Sequence, residues 1–320
     1  MSNSIVNIIV TGTFEDRMNV NSNIRSYLVD AGNNLENVNI VNCPTNQIEK
    51  FDYSTSDIIL AVGSILPDSH FVNLLERIAK KFDLPLVFWL HDDPYEIDFC
   101  YRVKKIGDLI FTNDRNSLFA YERKNVFHLP LAGSLQHHYR KINPNKTLDI
   151  SFCGYAYENR IKIITEASKI LQKYDCEIYG DNWPIDFPNC SNIRLSTADY
   201  ISLASYSTIT LNIGRNFDLA NNYYQISPST PGPRTFEIAL AGSAQIAFCD
   251  SQEIFEYFDD GKEILTFSNL KEFERLVSDL INDSNLAIKI AQQAQVKAIK
   301  FHTYESRILK LIEICKGVLN

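Results

Sequence analysis

The chain has 320 residues, 45% of them hydrophobic and 22% charged, with a formal net charge of -8. That is more chain than one hydrophobic core usually serves, so two domains are expected, in a folded protein of the cytoplasmic type. The acidic balance repels phosphate backbones at long range and disfavours nucleic acid as a partner, while a local basic cleft can still hold a small anion such as a nucleotide diphosphate.

Met1 to Ile9 has no basic region ahead of a hydrophobic stretch, so no signal peptide is expected there. Ile5–Val10 is a β-branched run that ends at Thr11-Gly12-Thr13. Asn21–Ala31 reads as a helix, with Ile24, Leu28 and Ala31 on one face. Val38–Val41 and Asp57–Val62 are strands, the second closed by Gly63-Ser64. Phe71–Phe82 is a helix with Leu74, Leu75, Ile78 and Ala79 as its stripe. Leu84–Leu90 is a strand ending in His91-Asp92-Asp93-Pro94. It is among the longest apolar runs and far too short to span a bilayer, so any membrane contact would be peripheral. Helices over 96–105 and 116–123 frame the strands Leu109–Thr112 and Val126–Leu131. Continuous apolar strands between amphipathic helices predict a parallel sheet covered on both faces, a doubly wound Rossmann-like domain.

Lys141–Lys146, with Asn143, Pro144 and Asn145, reads as a linker, after which the pattern restarts. Strands are expected at Leu148–Cys153, Cys176–Tyr179, Ile193–Leu195, Thr208–Ile213 and Ala244–Phe248. Helices are expected at 159–172, 199–205, 234–241, 254–258, 270–281, 286–300 and 304–318. Gly242 is a good C-terminal stop for the helix before it. The expected organisation is two Rossmann-like domains facing across a cleft: 1–142 on the acceptor side, 143–302 for the donor, and 303–320 as a last helix returning to the first domain. The seven cysteines, Cys43, Cys100, Cys153, Cys176, Cys190, Cys249 and Cys315, are odd in number and show no C-x-x-C spacing. They read as reduced thiols, and no zinc or other metal site is expected.

The most informative stretch is Ser227 to Ala247, where a loop punctuated by Pro228, Pro231, Gly232 and Pro233 runs into a helix at Arg234. A helix start offers unpaired N–H groups and the positive end of a dipole, a ready site for a diphosphate. Arg234 adds a positive fork there, and Glu237, one turn on, can accept hydrogen bonds from both ribose hydroxyls. The alternative is a plain helix with an i,i+3 salt bridge. Gly232, Arg234, Thr235 and Glu237 are the donor-binding candidates of this stretch.

Arg-Thr-Phe-Glu-Ile-Ala-Leu-Ala-Gly at 234–242, Glu253 to Glu263, and His302-Thr-Tyr-Glu-Ser-Arg307 together resemble the C-terminal half of GT-B glycosyltransferases of the group 1, CgeB-like (spore-maturation protein) family. The resemblance is clearest over 149–310, and Trp89 to Tyr95 looks like that family's sugar-facing strand end. It implies a nucleotide-sugar donor (UDP, GDP or dTDP not distinguished) bound mainly by the C-terminal domain, no cofactor, and retention of anomeric configuration. Related retaining enzymes carry a pair of glutamates. Glu237 matches the second, the ribose binder, and Ser229 stands at the position of the first.

Further candidates follow the same plan. Gly154 permits close backbone approach, and Arg160 is a phosphate-contact candidate by the resemblance or else a solvated helix residue. Arg215 could reach the diphosphate. Tyr179 and Trp183 end a strand where an aromatic could stack on a nucleobase, with packing between loops as the alternative for Trp183. Gly12 offers a second close-approach loop. In the first half His91, Asp92 and Asp93 are the catalytic candidates, as donor to the sugar or leaving oxygen and as base or orienter of the acceptor hydroxyl, with helix capping as the alternative for one aspartate. His302, Tyr304 and Arg307 read as docking residues of the last helix, and His137-His138 as solvated or hinge residues. The expected activity is glycosyl transfer to a glycan, protein or lipid-linked hydroxyl without a metal. The alternatives are a nucleotide-sugar epimerase or hydrolase, or a non-catalytic binding protein.

Overall fold

The computed structural model of the protein describes residues 5–14, 22–65, 69–184 and 189–319. The expected helix start at Asn21 and the first residues of the leader reading lie outside them. By contact the chain divides into two compact units. Met1–Leu131, Asp218–Thr230 and Tyr304–Asn320 form the first; Ala132–Phe217 and Pro231–Thr303 form the second.

In the first unit β1 (Val6–Gly12), β2 (Val38–Asn42), β3 (Ile58–Gly63), β4 (Leu86–Leu90), β5 (Leu109–Thr112) and β6 (Val126–His128) make one parallel sheet in the order β2-β1-β3-β4-β5-β6. Every residue of β3, β4 and β5 is buried, which is why these strands read as unbroken apolar runs. The edge strand β2 buries only Ile40. Helices α1 (Ser22–Asn33) and α2 (Ser69–Phe82) follow β1 and β3. The helices expected at 96–105 and 116–123 are instead 3-10 turns at Ile97–Arg102 and Arg115–Tyr121. Acidic groups here serve backbone donors elsewhere: the Glu96 carboxylate accepts from Ile65 N–H, and Asp98 accepts from Asn222, Tyr223 and Tyr224 N–H at 2.8, 3.0 and 3.2 Å. Such bonds compete with helix propagation.

The same bonds explain why 218–230 belongs to the first unit. Leu219 and Ala220 N–H donate to Tyr95 O, and Ser229 and Thr230 N–H donate to Asp114 Oδ2 at 2.7 and 3.0 Å. Asp98 and Asp114 thus fasten a thirteen-residue excursion, Asp218–Thr230, at its middle and at its last residues.

The second unit opens with α3 (Leu135–His138) and continues β7 (Leu148–Cys153), α4 (Glu158–Leu171), β8 (Cys176–Tyr179), β9 (Cys190–Ser191), α5 (Thr197–Tyr206), β10 (Ser207–Asn212), α6 (Arg234–Ala241), β11 (Ala244–Phe248), α7 (Ile254–Tyr257), β12 (Leu265–Phe267), α8 (Leu270–Asn282) and α9 (Ser284–Phe301). Its parallel sheet has the order β12-β11-β10-β7-β8-β9. Phe152, Leu211 and Ile246 pack with Phe273, Val277 and Leu280, while Phe236, Leu240 and Phe258 pack with Ala294 and Ala298. The strand expected at Ile193–Leu195 is irregular chain, and β12 was not anticipated.

The division expected at 142/143 falls at 131/132. Arg140 N–H donates to Leu240 O at 3.1 Å and Arg140 O accepts from Gln295 Nε2 at 2.8 Å, so 132–142 folds with the second unit. The last helix, α10 (Tyr304–Leu319), packs within the first unit. Tyr304 meets the rings of Tyr27 and Trp89 at 5.8 and 6.3 Å, and Arg307 Nε donates to Pro130 O at 2.9 Å. All seven cysteines are free thiols, with Cys43, Cys100, Cys176 and Cys315 buried. Among the described residues no helix is long and apolar enough to cross a membrane.

Candidate active site

Counted from β7, the second sheet reverses direction between its first and fourth strands, β7 and β10, and ligands of open parallel sheets bind beyond the carboxyl ends of such a pair. The loops there are held closely. Gly154 N–H donates to Tyr179 O at 2.9 Å, and a Cβ on Gly180, whose φ is +152°, would run into Gly154 O. Only glycine fits at Gly180. Asn159 Nδ2 donates to Gly214 O at 2.9 Å and Arg160 Nε donates to Ile213 O at 3.0 Å, tying the start of α4 to the end of β10. Arg160 therefore braces the loop after β10, its Nη1 also serving Tyr155 O at 3.1 Å, and Arg215 is partly exposed in that loop.

Trp183 corrects an expectation. It is 2% exposed, its ring lies edge-on to Phe152 at 5.9 Å, and its indole N–H donates to Gly154 O at 3.1 Å. It cannot offer a face to a nucleobase and instead forms the floor of these loops. Tyr179 beside it is partly exposed, and burial pushes its hydroxyl pKa up, with Glu177 adding to the shift.

Helix α6 stands on a buried polar layer of the sheet. Asn212 Nδ2 donates to Thr235 Oγ1 at 2.8 Å and to Gln245 Oε1 at 2.7 Å, and Gln245 Nε2 donates to Thr235 O at 3.2 Å. Thr235 is thus a buried anchor of the helix, not a group facing a ligand. The far end is closed by Gly242 in the left-handed conformation (φ 75°), with Leu240 O capped by Gln295 Nε2 and Gly242 O by the Lys146 ammonium, both at 2.8 Å. Burial lowers the Lys146 pKa to about 8.

The start of α6 differs from the expected row of open donors. Thr235 N–H bonds to Gly232 O, and Phe236 and Glu237 N–H bond to Pro233 O, so the turn is already closed on itself. What it presents is the dipole, an exposed Gly232 with open space around its Cα, and the Arg234 side chain, which is 42% exposed. The Arg234 guanidinium carbon lies 3.7 Å from the ring centre of Tyr200 on α5, and Nη1 donates to Glu237 Oε2 at 3.2 Å. The i,i+3 pair is formed. Glu237 is 13% exposed, and its other oxygen, Oε1, lies 3.9 Å from Nε2 of His138. His138 is buried and joins this cluster, contrary to the solvated or hinge role expected for it. Neither His138 nor Tyr200 was legible beforehand, because α3 and α5 meet α6 only through the fold.

In the first unit the sheet reverses at β1 and β3. The approach to Gly12 is filled: Arg25 Nη1 and Thr45 occupy the space where a side chain at Gly12 would stand. At the end of β4, His91 is buried, Asp92 partly buried, and the Asp93–Pro94 peptide is cis. The Asp93 carboxylate points inward, where Thr112 Oγ1 and Tyr121 OH each donate to Oδ2 at 2.6 Å. Burial pushes its pKa up to about 6. That geometry makes Asp93 an internal tie between β4 and the turn after β5. It neither caps a helix nor reaches an acceptor, so only His91 and Asp92 of the three stay at the strand's edge. Among the described residues no three His, Cys, Asp or Glu side chains gather as a metal site.

Residues 160–313 match the model of the family described as glycosyl transferase-like. The spore protein CgeB of Bacillus subtilis is 20% identical over 285 residues, covering 81% of this chain and 86% of that one. Two solved structures share the fold: HepE of Anabaena, in complex with UDP and glucose (TM-score 0.64, 11% identity, 98% of this chain and 100% of that one), and a sucrose-phosphate synthase of Thermosynechococcus elongatus (TM-score 0.64, 10% identity, 98% and 99%). The two parallel sheets, the strand reversal beside α6 and the match over its surroundings lead to one conclusion: residues 160–313 carry the pattern of the glycosyl transferase-like family, and the protein is a glycosyltransferase of the GT-B fold.

Proposed function

We propose that the second unit holds a nucleotide-sugar, with both ribose hydroxyls on Glu237 and the diphosphate beside Arg234 and the start of α6, and that transfer retains anomeric configuration without a metal ion. The observation that carries this reading is the Arg234–Glu237 pair at the mouth of α6, one cation and one carboxylate a turn apart, at the sheet's reversal. The complex of HepE with UDP and glucose, in a protein of the same fold, supports a nucleotide-sugar as the donor class.

In this reading the acceptor hydroxyl attacks the anomeric carbon on the face the diphosphate leaves. The bond to the β-phosphate oxygen breaks, the hydroxyl proton passes to that oxygen, and Arg234 stabilises the charge that develops on it. His91 and Asp92 are the first unit's candidates for orienting the acceptor, a hydroxyl on a glycan, protein or lipid-linked carrier. Free thiols throughout fit a cytoplasmic setting.

A thermal-shift screen of UDP-, GDP- and dTDP-sugars tests the donor class. A ligand at about a hundred times its dissociation constant stabilises by roughly 2.7 kcal/mol. No shift with any nucleotide-sugar overturns the reading. Product analysis of the winning donor then separates chemistries: transfer to an added acceptor is expected, whereas free sugar or an epimer formed without acceptor marks a hydrolase or epimerase.

A further inference from the structure

We propose that the second unit carries a separate anion site at the carboxyl ends of α5 and α6, a cavity that takes the terminal phosphate of a small soluble phosphate ester. The inference does not depend on the donor assignment. Helix α6 has eight residues, about 12 Å of helix, with Arg234 at its start, and the cavity borders its last turn.

The segment that leads into β7 builds the cavity. Arg140 N–H donates to Leu240 O at 3.1 Å, and Thr147 N–H donates to Tyr206 O at 3.0 Å. Between them the Lys146 ammonium donates to Ser205 O at 2.7 Å and to Gly242 O at 2.8 Å. These bonds hold 140–147 against the ends of both helices. They leave a cavity of about 430 Å³ lined by Arg140, Lys141, Asn143, Ser202, Ser205 and Tyr206. Small-molecule sites occupy about 300–1,000 Å³, so the space suits a ligand larger than a bare ion.

The lining is one-sided in its chemistry. It holds two cations, an amide and three hydroxyls and no carboxylate, in a chain whose net charge is -8. The helix-end carbonyls that would repel an anion are already taken: Ser205 O and Gly242 O by Lys146, and Tyr206 O by Thr147. The donors are not. Arg140 spends Nη1 on His137 O and Tyr139 O at 3.2 and 2.8 Å, which leaves Nε–H and Nη2. Asn143 Oδ1 accepts from Asn145 N–H at 3.0 Å, which leaves its amide nitrogen. The side chains of Lys141, Ser202 and Tyr206 have no hydrogen-bond partner among the described residues. Ser205 is the telling member. It is only 7% exposed, and its hydroxyl has no partner among the described residues either, so only what fills the cavity can satisfy it.

A phosphate ester matches this set. Its terminal group offers three strong acceptor oxygens and a charge of about -2 at neutral pH, against two cations and several N–H and O–H donors. A carboxylate brings one charge and two oxygens, and leaves donors unanswered. The guanidinium of Arg140 suits paired oxygens, and Lys141 supplies a point charge beside it.

Calorimetry on the full chain in phosphate-free buffer tests the proposal, with inorganic phosphate and glycerol 3-phosphate as probes. Both are expected to bind, glycerol 3-phosphate the more tightly. Lys141 is exposed, so Lys141→Gln withdraws a charge without touching the core; it is expected to weaken both probes about 10-fold. Ser205→Ala is expected to weaken them about 3-fold. In Arg234→Ala, which lacks the cation of the proposed donor site, the same binding is expected to persist. Binding that disappears in Arg234→Ala and is kept in Lys141→Gln and Ser205→Ala overturns the proposal, as does the failure of both probes to bind wild type. Vesicles of phosphatidylcholine with phosphatidic acid present the same group at a membrane. Capture of wild type by those vesicles, with no response to glycerol 3-phosphate, overturns the assignment to a soluble ligand. Matched melting temperatures of the three variants without probe exclude misfolding as the cause.

Discussion

The guanidinium of Arg234 rests over the ring of Tyr200 with its central carbon 3.7 Å from the ring centre. Tyr200 is buried and comes from α5, so a ring from one helix sets the level of a cation on the next. A desolvated cation–π contact is worth about 2 kcal/mol and an exposed one nearer 0.5. Tyr200→Phe keeps the ring and should bind donor nucleotide within about 2-fold of wild type, since the face and not the hydroxyl is used. Tyr200→Leu removes the face while filling most of the volume and should weaken nucleotide binding by roughly 3- to 10-fold. Titration of both variants decides the point, and equal binding by Leu and Phe would deny the ring any part.

Arg234 itself should not be replaceable by lysine. Its fork serves Glu237 with one nitrogen and stacks on Tyr200 with its plane, and an ammonium does neither job in the same way. Arg234→Ala should lower kcat/KM for transfer by about 100- to 1,000-fold, the size usual for losing one preorganised donor to a leaving oxyanion. Arg234→Lys should recover less than about a tenth of that loss on the same grounds of lost geometry. Steady-state transfer assays with the donor from the thermal-shift screen measure both.

Much of the second sheet was legible because buried parallel strands are apolar runs with glycine at their ends. Leu148–Cys153, Cys176–Tyr179 and Ala244–Phe248 begin and end where the pattern says, as does the helix Arg234–Ala241 before Gly242. The failures have physical causes. Residues 97–102 and 115–121 carry helical spacing, yet Asp98 in the first and Asp114 just ahead of the second spend their carboxylates on backbone donors of distant segments, and the chain tightens into 3-10 turns. The strand Leu265–Phe267 is too short to show a period. At the site, Arg234 and Glu237 are visible as neighbours on one helix. His138 and Tyr200 reach them, and Asn212 and Gln245 reach the neighbouring Thr235, only through tertiary packing, and burial of the Trp183 indole leaves no mark in the sequence.

Ser229, at the position where the sequence resemblance implies a glutamate, is held by the first unit: its N–H and that of Thr230 both donate to Asp114 Oδ2, and Asp114 is itself buried. Asp114→Ala strands two backbone donors in a partly buried place and should cost about 1–3 kcal/mol of stability. The same variant should speed amide hydrogen exchange across 218–230 while leaving the second unit's strands protected. Urea unfolding gives the first quantity and exchange mass spectrometry the second. Unchanged exchange in that excursion would mean that Asp98, which holds 222–224, suffices.

Chelation gives a separate test of the charge arrangement proposed at the donor site. If Arg234 and the positive end of α6 carry the leaving diphosphate's charge, a divalent ion has no required place there. Transfer should then stay within about 2-fold of its starting rate in EDTA, since the stabilising charges are covalently part of the chain. Loss of activity on chelation with recovery on adding Mn²⁺ would instead require a metal-bridged diphosphate.

Asp93 makes the first unit's stability depend on pH in a direction opposite to that of most carboxylates. Burial raises its pKa from 3.8 to about 6, and although Thr112 and Tyr121 both donate to the carboxylate, the nearby Asp114 and Asp92 charges push it up further. A folded-state value above the unfolded one means the folded chain holds a proton that the unfolded chain has released. The contribution to stability is therefore full below pH 3.8 and is lost as pH rises towards and through about 6. A displacement of that size corresponds to roughly 3 kcal/mol over the window. Asp93→Asn is neutral throughout, so the stability of the variant relative to wild type should rise between pH 4.5 and 7, by an amount of that order. The measurement is paired urea titrations of wild type and variant at several pH values. Other titrating groups cancel in the difference, and a gap that stays flat with pH would mean the Asp93 carboxyl ionises as freely in the folded protein as out of it.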